Sequence, residues 1–412
     1  MAKAVIVDSL RTGITKSFRG ALRDTRPDDL AANCIDMLLA RNPDIDPHHI
    51  DDCIIGCAFP EGAQGMNLGR NIAVLSRMSH RVAGTTVNRY CASGLQAVSV
   101  AATQIAAGGA QSIIAGGVES ISTTLKYINT RKLYNPRIKQ DAPGMYLGMD
   151  TDENTGEFIK NVFTSMGKTA EVVARKYGIS RSMQDEYSLM SQQRIANAQA
   201  LGLFEQEIIS VNVPVMSKKL DVDGNPVIKY ETVSQDECNR PNTTLKGLAE
   251  LAPSFEENGS VTAGNSSQIT DGAAICLLTS DQFAADMALN TLGVFHGYAT
   301  SGCPPEEMGT GPIFAIEKLL RQFKLTLADI DLIEMNEAFA ATTLYCQLKL
   351  GIDADKLNVN GGAISMGHPF GMTGARQVGH ILRELRRRDM QLGIVSMCIG
   401  GGMGMAALVE RT

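Results

Sequence analysis

The sequence predicts an α/β protein built from two similar βα halves with an inserted, mostly helical domain. One support is alternation: apolar strand patterns at residues 4–7 and 50–57 alternate with helical patterns such as 28–39, which indicates a largely parallel sheet. Composition agrees, because 40 glycines, no Trp and only 5% aromatic residues suit tight strand-to-helix turns and closely packed helices. The third support is internal repetition.

The second half of the chain repeats the element order of the first. A strand, an elbow, a helix and a further glycine-terminated strand occupy residues 87–117, and the same order recurs at 359–401. Residues 50–58 correspond in the same way to 330–338. Chance recurrence of glycine-rich turns is the alternative. A true repeat predicts a duplicated βα domain whose halves pack together, so that the two elbows face each other across a pseudo-dyad.

Changes in composition predict the domain boundaries. Residues 1–120 with 250–272 form the N-terminal half, 273–412 form the C-terminal half, and 121–249 form the inserted domain. The insertion is more polar and carries most of the tyrosines. Within it, Ser182 predicts the cap of a long helix over 186–200 that ends at Gly202. We expect the insertion to cover one face of the core and to hold a ligand.

Charge and cysteine usage argue against several classes of protein. A net charge of −6 disfavours a nucleic-acid-binding surface, and no apolar run reaches membrane-spanning length. The nine cysteines are odd in number and scattered, as in proteins of a reducing compartment. Cys53 and Cys57 are interpreted as core strand residues, and no metal site is predicted. No targeting segment is visible, so a cytoplasmic location is expected.

The first elbow carries Cys91, between a β-branched run and an Ala-rich helical stretch. Free N–H groups and the helix dipole favour an anion at a helix N-terminus, so this position predicts a thiol with a lowered pKa. A small cysteine buried at a turn is the alternative.

The second elbow carries His368, at the position that Cys91 occupies in the first half. A cysteine and a histidine at equivalent elbows would form a nucleophile and its base. Cys398 precedes a run of glycines at the end of an apolar strand, and Asn336 ends a neighbouring strand. Two thiols, an imidazole and an amide beside glycine N–H donors predict acyl transfer through a thioester, with proton abstraction next to a carbonyl.

Four sequence blocks resemble the signatures of the thiolase family. They are residues 88–94 (NRYCASG), 336–340 (NEAFA), 367–369 (GHP) and 398–404 (CIGGGMG), in the order found in that family. The resemblance extends over residues 4–410. It implies a duplicated thiolase fold with a five-layered αβαβα core and an inserted loop domain.

The resemblance also implies catalytic roles. Cys91 would carry the acyl group as a thioester, and His368 would accept the Cys91 proton. Cys398 would act as the acid and base that protonates or forms the acetyl-CoA enolate. Asn336 would hold a water that, with His368, forms one oxyanion hole. The N–H groups of Cys91 and Gly400 would form a second.

By the same resemblance, coenzyme A would be the co-substrate, with no permanently bound cofactor. Ser267 would contact the pantetheine, Arg240 would pair with the nucleotide phosphates, and Met166 and Phe339 would contact the substrate. Lysines nearby in the sequence would add positive potential, although each is otherwise a solvated surface charge: Lys218, Lys219, Lys229 and Lys246.

Particular residues favour one branch of the family. Ser165 stands where the acetoacetyl-CoA branch has His, and Gln377 with Val378 also resembles the degradative branch, so 3-ketoacyl-CoA is the favoured substrate. Phe370 is bulkier than the Ile or Leu usual there and keeps an acetoacetyl-CoA enzyme open as the alternative. A 3-ketoacyl synthase is disfavoured by Cys398, and a non-catalytic acyl-CoA- or lipid-binding relative would not need four intact blocks.

The resemblance predicts assembly as well. Thiolases are dimers or tetramers, so we expect at least a homodimer. Residues 127–164 lie where tetrameric members carry their assembly loop. β-Oxidation partner enzymes are a further expectation.

Overall fold

The computed structural model describes residues 2–125, 162, 164–221 and 223–412. Within them the strands form one large sheet and one small sheet. In chain order the strands are β1 (Ala4–Thr12), β2 (Thr15–Lys16), β3 (Asp52–Gly56), β4 (Thr85–Val87), β5 (Ser112–Glu119), β6 (Ile208–Ile209), β7 (Val211–Leu220), β8 (Pro226–Val233), β9 (Thr270–Ser280), β10 (Gly293–Gly302), β11 (Leu332–Met335), β12 (Leu392–Ile399) and β13 (Met403–Arg411).

The α-helices of the described residues pack on the two faces of the large sheet or belong to the insertion. They are α1 (Pro27–Arg41), α2 (Leu68–Leu75), α3 (Ser93–Ala106), α4 (Ile121–Thr124), α5 (Met166–Tyr177), α6 (Arg181–Ala200), α7 (Leu245–Ala249), α8 (Asp281–Asp286), α9 (Gly311–Phe323), α10 (Ala340–Leu350), α11 (Ala363–Met366) and α12 (Phe370–Arg387). Short 3-10 turns include Tyr90–Ala92 and Pro305–Thr310.

The order of strands in the large sheet shows the duplication. It runs β11-β12-β13-β10-β1-β9-β5-β3-β4, with β1 and β10 antiparallel at its centre. Outward from this pair, each side has two antiparallel pairs followed by a parallel pair. The edge strand β4 also has a counterpart in the second half, where Leu357 forms an isolated parallel β-bridge with Ile333 of β11. The predicted repeat is therefore confirmed, but the sheet is mixed rather than largely parallel, since β9 and β13 return antiparallel.

Alternating strand residues divide the core into layers. On β3, Ile54 faces the cluster that contains α3 and α12, whereas Cys53 and Ile55 face α1. On β12, Val395 faces the same central helices, and Ile394 faces α9. Helices α3 and α12 pack against each other and against strands of both halves. The layers are thus outer helices, strands, central helices, strands and outer helices.

Close approach of the two central helices brings the two elbows together. A Cβ added at Gly371, in the first turn of α12, would lie 2.4 Å from the Val118 carbonyl oxygen, and one added at Gly94 would lie 2.4 Å from the Gly371 carbonyl oxygen. A side chain at Gly94 would push α3 away from α12, and one at Gly371 would push α12 away from the ends of β5 and β3. The N-terminus of α3 therefore lies beside that of α12.

The insertion differs in two respects from the sequence prediction. Strands β7 and β8 pair as an antiparallel hairpin that was not predicted. The long helix begins at Arg181 and is capped by Ser180, whose hydroxyl oxygen accepts a hydrogen bond from the Met183 N–H, so the cap is not Ser182. Gly202 ends this segment in the left-handed conformation (φ 66°), as predicted. Residues 126–161 lie outside the described residues, and with them nearly all of the segment predicted to hold an assembly loop.

Candidate active site

A cavity of about 610 Å³ lies where the two elbows meet. Cys91 from the N-terminal half and His368 from the C-terminal half both line it, as the repeat predicted. Its walls are mainly apolar, with Phe59, Phe339 and Phe370 among them. A largely apolar cavity with a few convergent polar groups is typical of a small-molecule site.

Cys91 is positioned in this cavity by a preceding residue, Tyr90, whose strained backbone conformation is fixed by hydrogen bonds. Tyr90 has a left-handed conformation (φ 45°), which is rare for an aromatic residue. The conformation is fixed because the Tyr90 N–H donates to the Asn88 side-chain oxygen (2.8 Å) and the Ser93 hydroxyl donates to the Tyr90 carbonyl (2.7 Å). Cys91 follows in the 3-10 turn Tyr90–Ala92, and α3 starts at Ser93. The predicted strand-to-helix elbow is confirmed.

The Cys91 thiol is neutral in the free protein. Burial raises its pKa to about 11, whereas the backbone N–H groups of Gly400 and of Cys91 itself act in the opposite direction. The prediction of a lowered pKa was therefore wrong, because loss of hydration outweighs the donors at the helix terminus. Ionisation of this thiol requires a base at the moment of attack.

His368 is held as a neutral base. The Thr373 hydroxyl donates to the Pro369 carbonyl (2.9 Å), so it accepts from His368 Nδ1–H (2.6 Å). Asn336 Nδ2 donates to His368 Nε2 at 3.2 Å. These bonds assign the proton to Nδ1 and leave Nε2 as the unprotonated nitrogen. Burial, together with the positive charge of Arg376, lowers the pKa of His368 to about 3.

Asn336 has an unused acceptor beside this imidazole. The residue is 3% exposed, and its Oδ1 has no hydrogen-bond partner. Its place is fixed because its backbone N–H continues the β11–β12 pairing to the Ser396 carbonyl (2.9 Å). A buried acceptor without a partner next to the His368 imidazole suits a water or a substrate hydroxyl.

Cys398 lies behind the cavity wall. It is 2% exposed and packs with Met308, Ala338 and Phe339, all three of which line the cavity. Burial, and then the neighbouring Cys91, raises the pKa of Cys398 well above its ordinary value. The thiol is therefore protonated at neutral pH, which is the state required of an acid.

Glu119 is a buried carboxylate that the sequence analysis did not identify. It accepts from the Ala58 N–H (2.9 Å), the Phe59 N–H (3.2 Å) and the Gly371 N–H (2.8 Å). It thereby joins the loop after β3 to the first turn of α12, next to the His368 elbow. The sequence signal that could have identified Glu119 is its position at the end of the apolar strand β5 (Ser112–Glu119). Thr373 was missed in the same way, although it lies in the first turn after the elbow.

Most predicted substrate-binding residues lie at the cavity. Met166, Ser267, Phe339 and the backbone of Gly400 line it. Ser267 is fixed by its N–H bond to the Ala338 carbonyl (2.9 Å). Arg240 is not one of the lining residues. Any contact of Arg240 with substrate would therefore have to occur outside the cavity. Its backbone N–H donates to the Gln192 side chain (2.8 Å).

The described residues contain no group of three or more His, Cys, Asp or Glu arranged to hold a metal ion. Cys53 and Cys57 are both fully buried in the core, as predicted, but only Cys53 is a strand residue, because β3 ends at Gly56 and Cys57 follows it. In the same part of the chain, no helix combines the length and apolar character needed to span a bilayer.

The raised pKa of the Cys91 thiol gives a first prediction. With a thiol of pKa about 11, alkylation of Cys91 by iodoacetamide should accelerate about tenfold per pH unit from neutral pH upward, because only the thiolate reacts. The measurement is mass-spectrometric labelling of the tryptic peptide at a series of pH values. A plateau below about pH 8 would contradict the raised pKa.

A second prediction concerns the tautomer of His368. Thr373→Val keeps the side-chain shape but removes the acceptor of Nδ1–H, so kcat should fall about tenfold to a hundredfold. Thr373→Ser retains the hydroxyl and should recover most of the rate. Thermal melts of both variants separate this effect from loss of the fold, and an unchanged kcat in Thr373→Val would contradict the role.

Comparison with known proteins agrees with this fold and site. Residues 4–282 match the family model "Thiolase, N-terminal domain", and residues 289–411 match "Thiolase, C-terminal domain". The chain is 44% identical over 410 residues to the 3-ketoacyl-CoA thiolase of Bacillus subtilis (strain 168), covering 100% of both chains. Together these matches define an acyltransferase.

Two solved structures have the same overall fold. The dimeric peroxisomal thiolase of Saccharomyces cerevisiae superposes with a TM-score of 0.87 at 38% identity, covering 100% of this chain and 98% of that one. The acetyl-CoA acetyltransferase of Bacillus anthracis gives a TM-score of 0.86 at 34% identity, with 100% and 99% coverage. The chain belongs to the thiolase family, as its four sequence blocks predicted.

Proposed function

We propose that this protein is a degradative thiolase that cleaves 3-ketoacyl-CoA with coenzyme A to acetyl-CoA and an acyl-CoA two carbons shorter. The observation that carries the proposal is the pairing of a neutral thiol, Cys91, with a neutral imidazole, His368, in one apolar cavity. Similarity to a 3-ketoacyl-CoA thiolase over the whole chain supports the choice of substrate.

The proposed reaction begins with attack by Cys91. Its proton passes to His368 Nε2, and the sulfur adds to the C3 carbonyl of the substrate. The C2–C3 bond then breaks, and its electron pair forms the enolate of acetyl-CoA. Cys398 gives its proton to this enolate, which leaves an acyl thioester on Cys91 and a thiolate at Cys398.

The second half of the reaction regenerates the protein. The incoming coenzyme A thiol loses its proton to the Cys398 thiolate and attacks the acyl thioester. The shortened acyl-CoA leaves, and Cys91 recovers the proton held by His368. The N–H groups of Cys91 and Gly400 would stabilise the oxyanions of the tetrahedral intermediates. The unpartnered Oδ1 of Asn336 would hold the water of the other oxyanion hole.

Coenzyme A is the co-substrate in this proposal. Ser267 and Met166 are proposed to contact its pantetheine arm, and Phe339 the thioester end. Arg240 is proposed to meet the nucleotide phosphates outside the cavity. These assignments rest on cavity position and family resemblance.

An acetoacetyl-CoA enzyme is the second candidate. It is favoured by the similarity to an acetyl-CoA acetyltransferase. It is also favoured by Phe370, whose ring packs edge-on against His368 (4.9 Å between ring centroids) and Phe59 (5.6 Å) and narrows the cavity on this side. Ser165, which lines the cavity at the start of α5, leaves more space than a histidine would and favours the broader substrate range.

Chain-length kinetics distinguish the candidates. We would measure kcat/KM for CoA-dependent cleavage of 3-ketoacyl-CoA substrates with four, eight and twelve acyl carbons. A flat or rising profile is expected for a degradative thiolase. A collapse beyond four carbons would establish the acetoacetyl-CoA enzyme, and no turnover at any length would contradict both and favour a non-catalytic binding protein.

Assembly and location complete the proposal. We expect at least a homodimer, supported by the dimeric yeast relative, and analytical ultracentrifugation would measure it. A cytoplasmic location is supported by nine free cysteines, as expected in a reducing compartment, and cell fractionation would test it. Association with other β-oxidation enzymes would be tested by co-purification.

A further inference from the structure

Gln268 lies where the cavity wall meets the elbow that carries His368. It lines the cavity next to Ser267, shortly before β9 begins at Thr270. Its backbone carbonyl accepts a hydrogen bond from the His368 N–H (3.0 Å). Strand β9 lies between β1 and β5, on the side of the large sheet formed by the N-terminal half. This bond therefore joins the elbow of the C-terminal half to the half that carries Cys91.

The side chain of Gln268 makes two further hydrogen bonds. Its Nε2 donates to the Ile364 carbonyl in α11 (3.3 Å) and to the Cys238 carbonyl of the insertion (3.1 Å). Both partners are carbonyl oxygens, so the amide nitrogen is the atom that must face them. One side chain thus holds the segment that leads into the elbow, and it also anchors the residue whose carbonyl holds His368 itself.

The elbow is also packed closely against the start of β9. Gly367, which precedes His368, is left-handed (φ 101°), and a Cβ added there would lie 2.4 Å from Thr270 Cγ2. Thr373 orients the imidazole, but it lies on α12 and moves together with the elbow. Contacts with residues 268–270 therefore do what Thr373 cannot, because they fix the elbow against the half that carries Cys91.

We propose that Gln268 is a positioning residue, whose side-chain amide holds the His368 elbow at the distance from Cys91 that proton transfer requires. This inference rests on the proposed function. Transfer of the thiol proton to Nε2 needs hydrogen-bond geometry, and displacement of a reacting group by about 1 Å can lower a rate about a hundredfold. Without the amide, the Ile364 and Cys238 carbonyls lose this shared donor, and the elbow is free to shift.

Gln268→Met tests this role, because methionine has a similar length and volume but no hydrogen-bond donor. For CoA-dependent cleavage of the four-carbon substrate, kcat should fall about tenfold to a hundredfold. KM should stay within about threefold, since the cavity wall is retained and only the proton transfer is impaired. A change in KM with an unchanged kcat would mean that Gln268 acts as part of the wall, and it would overturn the inference.

Gln268→Glu adds a readout in pH. An ionised carboxylate has no donor and would face two carbonyl oxygens, so at pH 8 kcat should fall at least as far as in Gln268→Met. Partial burial beside these carbonyl dipoles would raise the pKa of the new carboxyl group, and its protonation returns one O–H donor. The rate relative to wild type should therefore rise about fivefold from pH 8 to pH 6. A relative rate that does not change with pH would contradict a role through these hydrogen bonds.

Gln199 provides a matched control. Its Nε2 donates to the Asp236 carbonyl (3.1 Å), two residues before Cys238, so Gln199→Met loosens the same part of the insertion but removes no bond to the elbow. It should retain the wild-type kcat. Hydrogen exchange of a peptide that contains residues 364–368, measured by mass spectrometry, should be about tenfold faster in Gln268→Met and unchanged in Gln199→Met.

The outcomes separate this inference from the function on which it rests. An unchanged kcat and unchanged exchange in Gln268→Met, with normal turnover by the wild-type protein, would overturn this inference alone. An equal loss of kcat in Gln199→Met would also overturn it, because the effect would then come from the insertion and not from the elbow. Absence of wild-type turnover at every chain length would overturn the proposed function and this inference with it.

Discussion

Replacing Cys91 with Ser is expected to lower kcat for 3-ketoacyl-CoA cleavage by at least about 10⁴-fold. The serine hydroxyl ionises far less readily than a thiol, and an imidazole with a pKa near 3 is a weak base for it. An oxygen ester would also be a poorer acyl donor to coenzyme A than a thioester. The loss should appear at every acyl chain length, because every substrate would pass through the same acyl-enzyme.

Direct detection of the intermediate gives this prediction its sharpest form. Wild-type protein mixed with acyl-CoA and quenched in acid should gain the mass of one acyl group on the peptide that contains Cys91, and Cys91→Ser should not. Cys303 is the other half-buried cysteine. It is not one of the residues that line the cavity, so Cys303→Ser should retain both the labelling and the rate. An active Cys91→Ser variant would refute the proposed mechanism.

The sequence was sufficient to predict the framework of the site because that framework depends on local signals. Cys91 lies between β4 and α3, His368 lies two residues before α12, and the repeated element order placed the two elbows opposite each other. Asn336 was placed at the edge of the sheet because the strand before it, Leu332–Met335, is short and apolar except for Glu334. These features need only patterning along the chain.

The missed features depend on contacts between distant parts of the chain. The pKa of Cys91 depends on how completely the C-terminal half and its own elbow exclude water, and the position of Cys91 at a helix terminus does not reveal that burial. Glu119 and Thr373 reach the site only through hydrogen-bond partners that packing brings together: the Gly371 N–H for Glu119 and His368 Nδ1 for Thr373. The β7–β8 hairpin was missed because residues 226–232 of β8 are exposed on both faces, so they give no alternating pattern.

Replacing Cys398 with Ala is expected to separate the two halves of the reaction. Cleavage of the C2–C3 bond should slow about 10³-fold, because the enolate loses its proton donor. Exchange of an acyl group between acyl-CoA and free coenzyme A requires no enolate. It should fall less, by about tenfold, since only the deprotonation of the coenzyme A thiol is affected.

The raised pKa of Cys398 gives this prediction a direction in pH. A thiol with a pKa well above its ordinary value is protonated at neutral pH, so it is ready to donate in cleavage. In the reverse condensation it must first lose that proton, so the condensation rate should rise with pH more steeply than the cleavage rate. Comparing both rates across pH in the wild-type protein and in Cys398→Ala measures this difference.

A second buried cysteine serves as the control for these measurements. Cys346 is also fully buried and its thiol donates to the Gly309 carbonyl (3.2 Å), but unlike Cys398 it is not in the cluster that packs against the cavity-lining residues Met308, Ala338 and Phe339. Cys346→Ala should lower thermal stability without changing the ratio of cleavage to exchange. If Cys398→Ala lowered both rates equally, Cys398 would have no separate role in proton transfer to the enolate, and a different acid would have to be sought around the cavity.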